Sequence, residues 1–123
     1  MDYDRFCKDI LYIDPQIRFA GVFHENGEMK GGGPREGITI LFTMEELKSS
    51  GIQAFGRWLL HNPDENKMGK GKFAIVEYEK VRVITMPLDS THILFVSMEL
   101  GANYLNITDR ILRLKSRLKE TIF

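Results

Sequence analysis

Few residues in this chain have the type and spacing to do chemistry. There is one cysteine, Cys7, and three histidines, His24, His61 and His92. A reactive thiol needs a base beside it, and none accompanies Cys7, which follows Phe6 and reads as a small buried hydrophobe. Each histidine stands at a predicted turn or element end. None has a second ligand at a metal spacing, so all three read as surface groups and no metal site is expected. Glu77 and Glu79 alternate along one strand beside Lys80 and Arg82. A carboxylate pair can do acid–base work, but a solvated strand face or cross-strand ion pairs is the plainer reading. No catalytic residue, cofactor or metal set is expected, and the chain reads as non-enzymatic.

Anion binding is the next possibility. Gly31-Gly32-Gly33-Pro34-Arg35-Glu36-Gly37 reads as the main irregular loop, whose N–H groups and Arg35 would suit a phosphate. A phosphate loop proper ends in Gly-Lys-Ser/Thr and opens a helix, whereas here Ile38-Thr39 follows, so an ordinary turn with an Arg35–Glu36 contact is expected. If a small molecule were sensed, it would sit between the sheet and this loop, touched by Arg18, Gly32, Gly33, Arg35 and Tyr78. Lys67, Lys70 and Lys72 lie among Gly69 and Gly71 as a basic loop, but Asp64 and Glu65 adjoin them. The last helix is also basic, and its cations lie toward a C-terminus where the helix dipole favours them. Asn106-Ile107-Thr108 matches a glycosylation triplet, without meaning in a chain that shows no export signal.

Composition narrows the class. The 123 residues carry 17 Lys+Arg against 17 Asp+Glu, a formal charge of zero. That gives no field to hold a polyanion, so no nucleic acid partner is expected, and no repulsion between copies, which permits self-association. A single cysteine cannot form an internal disulfide, which fits a reducing, cytoplasmic setting. No apolar run is long enough for membrane insertion. Length and the lack of any dividing linker suggest one domain over residues 1–123.

Hydrophobic spacing places the elements. Tyr3, Phe6, Ile10 and Ile13 mark a first helix that Asp14-Pro15 stops. Ile17 to Phe23 reads as a strand, Asn26-Gly27 as a hairpin turn with positive φ at both residues, and Glu28 to Gly32 as the return strand. Ile38 to Phe42 is a brief apolar run. Thr43-Met44-Glu45-Glu46 is a capping box opening a helix to about His61, with Pro63 beyond it and Gly51 as a weak point inside. Residues 62–72 read as a loop. Phe73 to Leu88 is extended, either as two strands meeting at Glu79-Lys80 or as one bent strand. His92 to Glu99 is a further strand, and Tyr104 to Thr121 the last helix. The order predicts an α+β fold on an antiparallel sheet, the second hairpin joining the first by its last strand.

That order resembles the dynein light chain roadblock family and, more loosely, the profilin-like folds. The residues that carry it are Ile17 to Phe23, Asn26-Gly27, the helix from Thr43, and Val83-Ile84-Thr85-Met86-Pro87-Leu88-Asp89 followed by Ile93 to Ser97. Arg18-Phe19-Ala20-Gly21-Val22, Gly32 and Arg35-Glu36-Gly37 are also similar to an uncharacterised family of small archaeal proteins. The roadblock resemblance implies a sheet in the order 2-1-5-4-3 between helices. It further implies a homodimer formed through the middle helix and the neighbouring edge strand, scaffolding other proteins or regulating a small GTPase. The tight Glu79-Lys80 bend departs from the family pattern.

Two stretches suit such an interface. Phe55 and Trp58 are aromatic residues on the middle helix, either core or partner-facing. Phe73, Ile75 and Val76 belong to a strand apolar on both faces, which at a sheet edge would invite pairing.

Overall fold

A computed structural model of the chain describes residues 2–60 and 65–121. His61 and the expected stop at Pro63 lie outside the described residues.

Local chemistry sets the helix starts. In α1 (Tyr3–Leu11) the Asp2 side chain accepts the Arg5 N–H at 3.0 Å. In α2 (Met44–Leu60) the capping box closes in both directions, Thr43 N–H to Glu46 Oε1 and Glu46 N–H to Thr43 Oγ1, each at 3.1 Å. In α4 (Tyr104–Thr121) the Asn103 side chain accepts the Asn106 N–H at 3.2 Å. A one-turn helix, α3 (Glu65–Met68), interrupts the segment expected to be loop.

Five strands form one antiparallel sheet in the order β2-β1-β5-β4-β3. They are β1 (Ile17–His24), β2 (Met29–Pro34), β3 (Ala74–Glu77), β4 (Val81–Pro87) and β5 (His92–Glu99). Phe73 to Leu88 is therefore two strands, turning at Glu79-Lys80, where the Tyr78 N–H donates to the Val81 carbonyl at 2.8 Å. The first hairpin turns differently from expectation. Gly27 has φ +87° but among the described residues none other than glycine has positive φ, and the Gly27 N–H closes on the His24 carbonyl at 2.8 Å. Only the glycine takes the left-handed conformation, and β1–β2 pairing shifts register at Val22/Phe23.

Alternation fills both faces of the sheet. Ala20, Val22, Ile84, Met86, Leu94, Val96 and Met98 meet Phe6, Cys7 and Ile10 of α1 and Ile107 and Ile111 of α4. Phe19, Phe23, Val83, Ile93 and Phe95 meet Leu47, Ala54 and Phe55 of α2. Burying a side chain of this size contributes about 1.5–3 kcal/mol against leaving it in water. Ile17 and Phe19 share a parity yet fall in opposite cores. The irregularity is at Arg18, since Ile17 pairs with Met98 and Phe19 with Ser97. Gly51 explains itself here: a Cβ at that position would lie 2.8 Å from Phe23 Cδ1, so the glycine lets α2 sit on the sheet.

The return strand expected to end at Gly32 runs on to Pro34, so Gly33 and Pro34 of the expected loop are strand as well. α1 rests directly on this strand. Gly32 has φ +97°, and a Cβ there would stand 2.1 Å from the Ala20 carbonyl oxygen and 2.9 Å from Cys7 Sγ.

Candidate interaction surface

The two sheet edges are treated differently. At β2 the Gly32 N–H donates to Asp4 Oδ1 at 2.8 Å, and Pro34 has no N–H to offer, so α1 and proline blunt that edge. At β3 nothing among the described residues covers the outer side. Tyr78 and Val81 form a hydrogen-bonded pair, so antiparallel alternation turns Val76 and Ala74 toward β4 and the backbone groups of Ile75 and Glu77 outward. Apolar side chains flank this edge: Phe73 is 39% exposed, Val76 38% and Tyr78 50%. Ile75 is half-buried and packs toward the α1/α4 core.

A groove of about 530 Å³ runs beside that edge between α2 and the β3–β4 turn, lined by Leu41, Phe42, Gln53, Arg57, Tyr78 and Val83 among others. Residues 38–42, read from sequence only as an apolar run, form irregular backbone leaving Leu41 52% exposed. Sequence reasoning overlooked them as interface candidates. The signal was present, four apolar positions between a glycine-rich stretch and a helix cap with no period that would bury them.

The two aromatic candidates on α2 face the sheet. Phe55 is buried with Phe19, Val83 and Phe95 in the α2-side core, at 8% exposure. Trp58 is half-buried, and its indole N–H donates to Thr85 Oγ1 at 3.0 Å. The outward face of α2 belongs instead to Ser49, Ile52, Gln53 and Arg57. Helical phase decides this: Leu47, Gly51, Ala54, Phe55 and Trp58 form one stripe, and the sheet takes it.

The residues proposed for a ligand loop do not converge. Arg18 pairs with Glu99 at 2.6 Å. Arg35 donates to the carbonyl oxygens of Ile17, Leu11 and Asp14, tying the end of α1 to β1, and not to Glu36. Gly32 is engaged by Asp4, so its N–H is already spent on a carboxylate of this chain. Gly33 lies in the β2 edge strand, and Tyr78 lies beyond β3 at the opposite edge. Beneath residues 38–42 there is a cavity of about 30 Å³ touching Arg18, Phe19 and Phe95, room for about one water molecule.

The remaining titratable groups are held structurally. Glu77 pairs with Arg82 at 2.8 Å, and the Arg82 guanidinium lies 4.6 Å above the Tyr104 ring centre. Burial, then the Asp4 charge, push the Cys7 thiol up to about 12, against a hydrogen bond from the Val22 backbone. His92 Nδ1 lies 3.0 Å from Asp89 Oδ1, and the His24 and His92 rings stand 5.2 Å apart. No group of three His, Cys, Asp or Glu side chains suited to a metal occurs among the described residues.

Solved structures with this architecture settle the fold. A Roadblock/LC7 domain from Streptomyces avermitilis superposes with a TM-score of 0.74 at 14% identity, covering 99% of this chain and 98% of that one. The fold is roadblock/profilin-like. MglB from Myxococcus xanthus superposes on the same roadblock architecture with a TM-score of 0.73 at 12% identity, over 98% of this chain and 94% of its own. Profilin IB from Acanthamoeba castellanii does so at 0.62 and 14%, over 99% and 100%. The sequence matches no family model and no curated protein. At these identities the likeness is one of fold, and the function of a roadblock-like sheet has to be argued from its surfaces.

Proposed function

We propose that this chain is a non-enzymatic protein-interaction module, one roadblock/profilin-like domain over residues 1–123, that self-associates as a homodimer and presents the joined surface to another protein. The observation that carries the reading is the uncovered β3 edge, with Ile75 and Glu77 backbone groups turned outward beside exposed Phe73, Val76 and Tyr78. Such an edge pairs readily with a second strand. Antiparallel pairing of two β3 edges would satisfy their outward N–H and C=O groups and bring the outer faces of two α2 helices side by side. Residues Leu41 and Phe42 would extend the apolar contact.

The partner class follows from the roadblock resemblance of the sequence, and the solved neighbours are compatible with it. One solved neighbour is described as a gliding protein MglB and another as MglB in a tetrameric arrangement. On that resemblance the proposed partner of this chain is a small GTPase or a scaffold protein. Native mass spectrometry of the untagged chain and of Val76→Lys tests the self-association. Pull-down with the dimer intact and disrupted tests the partner.

A small-molecule sensor is the second reading, and it has less support. Arg35 and Gly32 already hydrogen-bond within the chain, and the cavity under residues 38–42 is about 30 Å³.

A further inference from the structure

On the face of the sheet opposite α2, a concave groove of about 270 Å³ lies between the end of α1 and α4. Arg110, Arg113 and Arg117 line one wall, spaced three and four apart, so they form a single ridge about 10 Å long. The other wall carries Tyr12, which is 83% exposed, with Asp9. Ile13 and Leu114, both half-buried, also line the groove and make it partly apolar.

This ridge needs an explanation that the fold does not supply. The chain has no net charge, yet residues 104–121 hold Arg110, Arg113, Lys115, Arg117 and Lys119 against Asp109 and Glu120. The helix dipole favours cations only within about the last turn. It accounts for Lys119 but not for Arg110 or Arg113, which stand in the second and third turns. Internal pairing does not absorb them either. Arg110 donates to the Ile13 carbonyl at 3.1 Å, which fixes the guanidinium at the groove without neutralising it. Arg113 meets Asp109 at 3.0 Å, but both side chains are more than half exposed, 72% and 57%, so the pair is weak and readily exchanged. Lys115, by contrast, is turned inward to the Pro87 carbonyl at 2.7 Å.

We propose that the α1–α4 groove docks a short acidic peptide segment of another protein, with carboxylates on the arginine ridge and an apolar side chain between them against Tyr12, Ile13 and Leu114. Guanidinium forks match carboxylates bidentately, and three along one helix fix a line of charge. The groove is concave and partly apolar, which suits an inserted side chain better than a flat bilayer. The neutral chain lacks the field that would gather a nucleic acid. The surface lies across the sheet from β3 and α2, so this proposal stands whether or not the chain dimerises.

The test uses the full chain and a labelled decapeptide of Glu and Asp around a central Phe-Leu pair, with a Lys-for-acid counterpart as control. Fluorescence anisotropy at low and physiological salt is expected to show saturable binding of the acidic peptide only, weakening with salt. Arg113→Glu and, separately, Tyr12→Ala should each weaken it about tenfold or more. Amide shift mapping should place the peptide at residues 9–13 and 110–117. Tyr12 is so exposed that its variant will fold, which keeps the test sound if Arg113→Glu does not. Absence of saturable binding, or equal binding by both variants, overturns the proposal. So does mapping to another face, full competition by inorganic phosphate at concentrations comparable to the peptide, or retention by phosphatidylserine vesicles without peptide binding.

Discussion

The indole N–H of Trp58 donates to the Thr85 hydroxyl across 3.0 Å, joining α2 to the middle of β4. A tryptophan that the sequence leaves as either core or partner-facing thus ties α2 to the sheet within one protomer. Replacing it with phenylalanine removes the donor and should cost about 1 kcal/mol. Alanine also removes the packing and should cost about 2–3 kcal/mol. Urea denaturation of both variants checks the order. Equal stability of all three proteins would mean that the bond and the packing contribute nothing.

Gly32 should be intolerant of any side chain. Its φ of +97° and the 2.1 Å approach of a would-be Cβ to the Ala20 oxygen predict that Gly32→Ala loses more than about 2 kcal/mol. Gly56, in α2 with nothing within 4 Å of its would-be Cβ, is the counter-case: Gly56→Ala should gain about 0.5–1 kcal/mol. Thermal melts of the two variants should move in opposite directions.

Cys7 should be inert while the chain is folded. Burial, aided by the Asp4 charge, raises the thiol to about 12. At pH 8 a disulfide-exchange reagent should therefore modify native protein at least about a hundredfold more slowly than unfolded protein. The sign of the linkage follows. The folded thiol holds its proton more tightly than the unfolded one. This stability is full below the ordinary thiol range and is lost as pH rises toward 12. Cys7→Ala should flatten that alkaline decline.

Asp89 should govern part of the acid limb. Burial alone would raise its carboxyl. The Thr91 N–H at 2.8 Å, the His92 side chain and the Thr91 hydroxyl together lower it below the usual carboxylate range. A depressed value means stability that is present above the ordinary range and lost as pH falls through the folded value. Asp89→Ala should lose about 1 kcal/mol at pH 7 and show a shallower decline toward about pH 3. Melting temperatures at the two pH values read both effects.

Much of the fold was legible because it rests on local rules. Thr43 and Glu46 announced α2, and the period of Ile107, Ile111, Leu114 and Leu118 announced α4. The order of the sheet came with the roadblock resemblance and agrees with β2-β1-β5-β4-β3. What misled was composition read without contacts. The glycine run suggested that the strand gives way to loop after Gly32, but β2 continues to Pro34, and Gly31 and Gly32 are small because α1 presses Tyr3, Asp4 and Cys7 onto that strand. Arg35 suggested a ligand contact, but three main-chain carbonyls at the α1–β1 junction use it. Exposure of Leu41 and burial of Phe55 depend on which way segments 38–42 and α2 meet the sheet, and a single sequence does not state that.

The account's central claim is that β3 is the self-pairing edge, and native mass spectrometry of the untagged chain beside Val76→Lys tests it most directly. Val76 is 38% exposed and points to the α2 side, so lysine there should leave the protomer's melting temperature nearly unchanged while placing like charges across the joined edges. The account predicts twice the protomer mass for the parent chain and the protomer mass for the variant. A parent chain that is monomeric at every concentration, or a variant that keeps the doubled mass, would contradict it.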